Sequence, residues 1–243
     1  MHSFYAVFKR ELKSYFTTPV AYVFLVVFLF FSGYLTFKQG FFEIRQADMQ
    51  AFFINMPLLF IFLVPAVSMR LWSDERRIGS IELLLTLPIT VIQAVLGKFF
   101  AAWLFLLIAL ALTFPMVITV SYLGDPDASL IIMGYLGSVL MAGGFLAIGC
   151  FFSAVSKNQV ISFVLSVVAC AVIVYVGMPT TLNYLSTFLP AGLVSTIGGM
   201  SLQSHFESIQ KGVLEFSDIS YFILLIIGWI AACSFMLDER KTS

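Results

Sequence analysis

The sequence has 243 residues, of which 60% are hydrophobic and only 11% are charged. A soluble domain of ordinary composition carries about 25% charged residues, so most of this chain's surface faces something other than water. The composition therefore excludes a soluble enzyme, a disordered chain and a disulfide scaffold, and it favours a polytopic helical membrane protein. The 13 basic and 13 acidic residues cancel, so net charge provides no general attraction to nucleic acid.

Residues 1–19 predict an amphipathic helix at the membrane interface. The large apolar side chains of Phe4–Phe16 share one arc of a helical wheel, and Lys9, Arg10 and Lys13 occupy the other side. This pattern is typical of a helix that lies flat with its basic face toward anionic headgroups. A plain positive-inside anchor is an equally good interpretation.

Long charge-free stretches follow this helix. A span needs roughly 20 apolar residues, and these stretches are apolar on all sides, unlike the alternating strands of a membrane β-barrel. We predict an all-α fold with six transmembrane helices, at residues 20–37, 51–69, 99–123, 129–155, 159–178 and 219–237. A seventh span within 179–218 is the alternative, but that region is rich in Thr, Ser, Asn, Pro and Gly and predicts short interfacial or re-entrant pieces.

The distribution of Lys and Arg predicts the orientation. With six spans and an inner N-terminus, ten of the 13 basic residues fall on the inner side. Because inner loops of membrane proteins are enriched in Lys and Arg, we expect both termini in the cytoplasm and the chain in the cytoplasmic (inner) membrane.

Residues 70–98 are predicted to form a cytoplasmic loop that contains a short helix. Glu82 lies beside three leucines in Ile81–Leu85, and Pro88 ends this helix. Thr90 and Gln93 predict a capping box at the start of the next helix. Three adjacent leucines on a short loop are costly to expose, so the short helix needs a partner surface or rests on the bilayer.

The outer segment 179–218 predicts a second amphipathic helix. Ser204 and Glu207 form a capping-box pattern, and Gly212 is well placed as a C-cap. An apolar face at helical spacing is expected to contact the outer membrane surface, the spans or a partner; it comprises Leu202, Phe206, Ile209 and Val213.

The sequence lacks the signals of several catalytic and transport classes. The predicted spans contain no acid, histidine or lysine, which ion-coupled transporters bury at mid-span. No G-x-x-x-x-G-K-[ST] motif is present, so the chain does not bind ATP by that route. The three cysteines lie in predicted spans without metal-site spacing, and we predict neither a metal site nor a catalytic residue.

The outer segment contains one pattern that resembles a catalytic motif. Gly199-Met200-Ser201 resembles the GxS motif of intramembrane serine proteases, and His205 lies close by. Those proteases take Ser and His from separate helices within the membrane, whereas here both lie in one outer segment. We interpret the glycines as a turn and Ser201 as a local cap, and keep an intramembrane hydrolase as a remote alternative.

The segment between the second and third spans resembles ABC-2 type transporter permeases. Residues 73–88, followed by Val95–Lys98, match the E-x-x-x-G-[ST]-x-E-x-L-L-x-x-P…G-K pattern of that family. The starting Lys9–Leu12, the Ser153–Gln159 turn and the run from Leu189 to Tyr221 are similar as well. The resemblance is greatest to the gliding-motility-associated and nitrous-oxide-reductase-maturation branches.

The resemblance implies a half-transporter that is not itself an enzyme and holds no cofactor. Two permease halves, identical or related, would pair with two separate ATPase subunits that bind ATP and Mg. The loop 70–98 would carry the coupling helix that docks on the ATPase, through Glu75, Gly79, Glu82, Leu83, Leu84 and Pro88. Gly97 and Lys98 would anchor the base of the third span.

The resemblance implies ATP-driven export across the cytoplasmic membrane. An alternative keeps the ATPase but transmits conformational force to an extracytoplasmic partner without moving cargo. The sequence does not identify a cargo.

The orientation can be tested with reporter tags. Because ten basic residues lie on the predicted inner side, tags at residues 1 and 243 should both report the cytoplasm and a tag near Gly212 the opposite side. Protease accessibility in spheroplasts and in inverted vesicles measures this. An external C-terminal tag would contradict the six-span topology and favour seven spans.

Overall fold

The structure, a computed structural model, describes residues 2–38, 41, 48–79 and 89–242. Every regular element in these ranges is a helix. In chain order they are α1 (His2–Thr17), α2 (Pro19–Lys38), α3 (Gln50–Phe53), α4 (Met56–Ser68), α5 (Arg70–Ile78), α6 (Val91–Ala111), α7 (Phe114–Leu123), α8 (Ala128–Val155), α9 (Gln159–Val176), α10 (Pro179–Leu185), α11 (Ala191–Gly199), α12 (Leu202–Gln210) and α13 (Phe216–Thr242).

Six helical stretches among the described residues are long and apolar enough to cross a membrane. They are Pro19–Lys38, Met56–Ile78, Val91–Leu123, Ala128–Val155, Gln159–Val176 and Phe216–Glu239. The second stretch joins α4 to α5, and the third joins α6 to α7. The chain is therefore an all-α, multi-pass membrane protein, which confirms the predicted fold class.

The described ends of the segment 70–98 are more helical than its charge suggested. The Met69 amide donates to the Pro65 carbonyl at 2.9 Å, so α4 is followed directly by α5. Helix α5 ends at Gly79, whose φ of 78° lies in the left-handed region that favours glycine. Helix α6 begins after Thr90, where the predicted capping box with Gln93 is confirmed, with both bonds at 3.4 Å. The expected loop is thus shorter at both ends.

Helix α8 is the centre of the bundle. It packs against α4, α5, α6, α9, α12 and α13, and 72% of its spanning window is buried, the largest share among the spans of the described chain. Glycines allow this close packing: a Cβ at Gly149 would lie 1.9 Å from Ser68 Oγ, and one at Gly143 would lie 3.0 Å from Trp103. Small residues that bring helix backbones together are the usual packing device in membranes.

The bundle has two differently built ends. At one end α1 and the C-terminal ends of α5 and α8 meet the N-terminal ends of α6 and α9; we call this the Lys98 end. At the other end α12 packs across the N-terminal half of α8; we call this the His205 end.

Candidate functional site

Lys98 forms the centre of the Lys98 end. It lies in the second turn of α6, and its side chain is only 2% exposed. Its Nζ donates to the Leu71 carbonyl at 2.7 Å and to Glu75 Oε1 at 2.9 Å, and it lies 3.4 Å from Glu11 Oε1. The ammonium also stands 4.8 Å from the ring centroid of Trp72. A buried charge requires such partners, so Lys98 joins α1, α5 and α6.

Helix α1 is fixed to this cluster by charge and by close packing. Arg10 lies 2.8 Å from Glu11 and 3.3 Å from Glu75, which extends the ion pairs of Lys98. A Cβ at Gly97 would lie 3.0 Å from Val7 Cγ1, so glycine permits the close approach of α1 to α6. The two residues predicted to anchor the third span therefore contact α1 and α5 from within a helix.

Two groups of α1 have shifted pKa values. Burial alone would lower the pKa of Arg10, but the hydrogen bonds and charges of Glu11 and Glu75 raise it above its ordinary value. Burial, followed by the charge of Glu11, raises the pKa of Tyr15, whose ring stacks on Phe105 at 5.0 Å. Both groups keep their protons throughout the physiological range.

The hydroxyl of Ser153 ties α5 to the end of α8. It accepts hydrogen bonds from the amides of Trp72 and Ser73 at 3.0 and 3.1 Å and donates to the Met69 carbonyl at 2.9 Å. The Trp72 indole donates to Cys150 Sγ at 3.3 Å. The junction between α4 and α5 is thereby held by side chains of a different span.

Arg76 and Asp74 add two further links from α5. Arg76 donates to the carbonyls of Ala154 and Val155, which belong to the last turn of α8 and lack helical partners. A cation also suits the negative end of the helix dipole. Gln159, in the first turn of α9, donates to Asp74. Helix α5 is thus bonded to α1, α6, α8 and α9, and we call this set of contacts the α5 hub.

The predicted docking residues fall into two groups. Glu82, Leu83, Leu84 and Pro88 lie outside the described residues, so their docking role stays a prediction. Glu75 faces Lys98 and Arg10, and Gly79 ends α5. The Glu75 and Lys98 positions of the family-like pattern thus contact each other at 2.9 Å.

At the His205 end, α12 buries most of its predicted apolar face. Leu202, Phe206 and Ile209 are fully buried, and a Cβ at Gly137 of α8 would lie 3.1 Å from Ile209. Val213 does not share this face: it is 52% exposed, because α12 ends at Gln210 and Gly212, with a φ of 80°, redirects the chain. The helix therefore packs on a span of its own chain.

Ser201 and His205 have separate partners. Ser201, interpreted from the sequence as a local cap, is the N-cap of α12 in place of Ser204 and accepts from the Ser204 amide at 3.2 Å. Its hydroxyl donates to the Gly177 carbonyl at 3.1 Å. His205 Nδ1 lies 2.6 Å from Asp218, and Nε2 lies 3.0 Å from the Gly199 carbonyl. Both ring nitrogens thus face other groups, which disfavours a Ser201–His205 nucleophile pair.

Sequence reasoning missed several residues of the α5 hub. Ser153 lies in a turn whose only signal in the sequence is its family resemblance, and Arg76 is one of several charges in the predicted loop. The partners of Ser153 and Arg76 lie roughly 80 positions away along the chain, and no local pattern in the sequence indicates them. The one sequence signal that could indicate the α5 hub is the group of charged residues just outside the apolar stretches.

A family model for ABC-2 family transporter proteins matches residues 5–232 of the chain. The match begins in α1 and ends within α13, so it includes both ends of the bundle. No curated protein matches the chain significantly.

Removing the ammonium of Lys98 should destabilise the bundle. Lys98→Met leaves Glu11 and Glu75 facing a shared apolar side chain, and breaking a buried ion pair from one side costs about 3 kcal/mol. The free energy of unfolding in mixed micelles, measured by SDS titration, checks this. The control is Lys9→Met on the exposed side of α1, which should cost less than about 0.5 kcal/mol. Equal effects of the two variants would contradict the assigned role of Lys98.

Proposed function

The chain belongs to the ABC-2 family of transporter proteins, and from this premise we propose that it couples ATP hydrolysis on a separate subunit to export across the cytoplasmic membrane. The family and the six apolar helices directly support a role as the permease component of an ABC transporter. The α5 hub is the single observation that carries the proposed coupling. It joins α5, whose last residues belong to the family-like docking pattern, to four other helices.

The proposed complex contains two ATPase subunits and a second permease half, identical or related. The ATPases would bind ATP and Mg, in keeping with the lack of a P-loop motif in this sequence. Export as the direction of transport is proposed from the resemblance to ABC-2 type permeases. The likeness to the gliding-motility-associated and nitrous-oxide-reductase-maturation branches remains part of the proposal.

Docking is proposed at the segment between α5 and α6, through Glu82, Leu83, Leu84 and Pro88. Both flanks of this segment are firmly built: Gly79 ends one helix and Thr90 caps the next. A force applied to residues 80–88 would therefore reach the ends of α5 and α6, which flank them. Glu75 is proposed to act as a positioning residue that holds α5 in place for docking.

Transmission is proposed to run through α5 into α8. Ser153 and Arg76 bind α5 to the last turns of α8, so a displacement of α5 carries that end of α8 with it. Helix α8 has 28 residues, or about 42 Å at 1.5 Å per residue. Its other half holds α12 through Gly137.

This continuity also favours the second candidate, in which force reaches an extracytoplasmic partner without cargo translocation. One rigid helix contacts both the α5 hub and the buried face of α12. ATP turnover measured with and without candidate cargoes separates the two functions, since cargo stimulation is expected only for export.

The docking proposal predicts that Glu82→Arg lowers recovery of the ATPase. Placing a like or unmatched charge in an interface costs several kcal/mol, so recovery of the partner should fall at least about tenfold. The tagged chain is purified from its own cells, and the copurified ABC ATPase and its ATP turnover are quantified. Glu215→Arg, an exposed acid at the His205 end, is the matched control. Unchanged recovery with Glu82→Arg would show that the segment rests on lipid.

The transmission proposal predicts that Ser153→Ala uncouples the two ends. Loss of its three hydrogen bonds costs roughly 1–3 kcal/mol, while the docking segment stays intact. A Val213→Cys reporter measures the His205 end by maleimide labelling with and without ATP, because the native cysteines are buried. We expect Ser153→Ala to retain ATPase recovery and to lose the ATP-dependent change in labelling.

The matched control for this experiment is Ser138→Ala on the same helix. Ser138 is equally buried, but its hydroxyl donates only within α8, to Gly134 at 2.8 Å. It should leave the ATP-dependent labelling intact. If both alanine variants behaved alike, the Ser153 link would not be part of the transmission path.

A further inference from the structure

A crevice opens beside the α5 hub, between α1, α2, α4 and α5. Its volume is about 580 Å³, which falls within the range of roughly 300–1,000 Å³ typical of ligand sites. It is not closed: Val23 of α2 lines it and is 62% exposed to the surroundings of the bundle. Molecules of the bilayer can therefore enter it from the side.

The walls of the crevice change from charged to apolar with depth. Arg10, Arg70 and Asp74 line the part nearest the Lys98 end, and Val27 and Leu63 line the part within the spans. Seven residues separate Val20 from Val27 along α2, which places the apolar end about 10 Å further into the membrane. An occupant must therefore be polar at one end and apolar at the other, as membrane lipids are.

The charged side chains that line the crevice are balanced. Three are basic and three are acidic: Arg10, Arg70 and Lys98 with Glu11, Asp74 and Glu75. The Arg10 and Arg70 side chains are 56% and 39% exposed and can still reach a phosphate. The acids nearby disfavour a headgroup with net negative charge and complement an ammonium.

From this complementarity we propose that the crevice binds a zwitterionic phospholipid of the surrounding bilayer, with phosphate on Arg10 and Arg70 and an acyl chain along α2 and α4. The headgroup ammonium faces Glu11 and Asp74. Because Glu11 and Glu75 also hold Lys98, the bound lipid stabilises the contact between α1 and α5. Lipid binding in this crevice requires neither an ATPase nor a cargo.

The experiment uses the purified full chain in detergent, with phosphatidylethanolamine or phosphatidylglycerol added as the probe. Native mass spectrometry measures the bound lipid. Val23→Trp fills the crevice, and Arg70→Gln removes a phosphate ligand; each should weaken phosphatidylethanolamine binding about tenfold. Phosphatidylglycerol should bind wild-type protein more weakly than phosphatidylethanolamine.

Two matched controls lie on the same helices. Val26 is 65% exposed on α2, and Arg77 pairs with Asp74 from α5, but neither lines the crevice. Val26→Trp and Arg77→Gln should retain the lipid, and circular dichroism checks that all four variants are folded. Equal retention in the test and control variants, or preferred binding of phosphatidylglycerol, would overturn the proposal.

Discussion

The ammonium of Lys98 constrains the rest of the structure because it is held almost entirely out of water. Its positive charge needs anionic and carbonyl partners at close range, and these come from Glu11 on α1 and from Leu71 and Glu75 on α5. The three helices cannot separate without leaving a buried charge unpaired. The positions of α1 and α5 relative to the third span thus follow from one side chain.

Hydrophobic length and helical periodicity predicted the six spans well, because crossing a bilayer demands an apolar stretch of fixed length. The ends of the spans were harder. Asp74, Arg76 and Lys98 have the composition of an aqueous loop, yet they belong to helices in which each meets a partner from another element. Whether a charged segment forms a loop or a helix depends on pairing with residues far away in the sequence. No local sequence pattern encodes that pairing. At α12, the periodicity predicted four residues on one apolar face, of which Leu202, Phe206 and Ile209 are buried. The glycine expected after the helix is confirmed at Gly212, but the periodicity extended the face one residue past it, to the exposed Val213.

Polar contacts and apolar contacts have different roles in this bundle. Between membrane helices there is little hydrophobic driving force, since lipid tails are as apolar as leucine. Close approach at glycines brings α8 against its neighbours but permits small sliding movements. The hydrogen bonds of Ser153 and Arg76 are directional and hold one register of α5 against α8. The α5 hub therefore defines a discrete position, which a proposed coupling element requires.

A helix held in one discrete position can transmit a displacement, whereas a flexible connection would absorb it. If α5 moves as a unit, the bonds to α1, α6, α8 and α9 must either move together or break together, because each links the same nine-residue helix. Moving together displaces one end of a long, buried helix whose other half holds α12. Breaking together would leave Lys98 without Glu75 and the last carbonyls of α8 without Arg76, which is costly in a site with little water. The energetics thus favour concerted displacement of these bonds over local unfolding, which is what the proposed transmission from the Lys98 end to the His205 end requires.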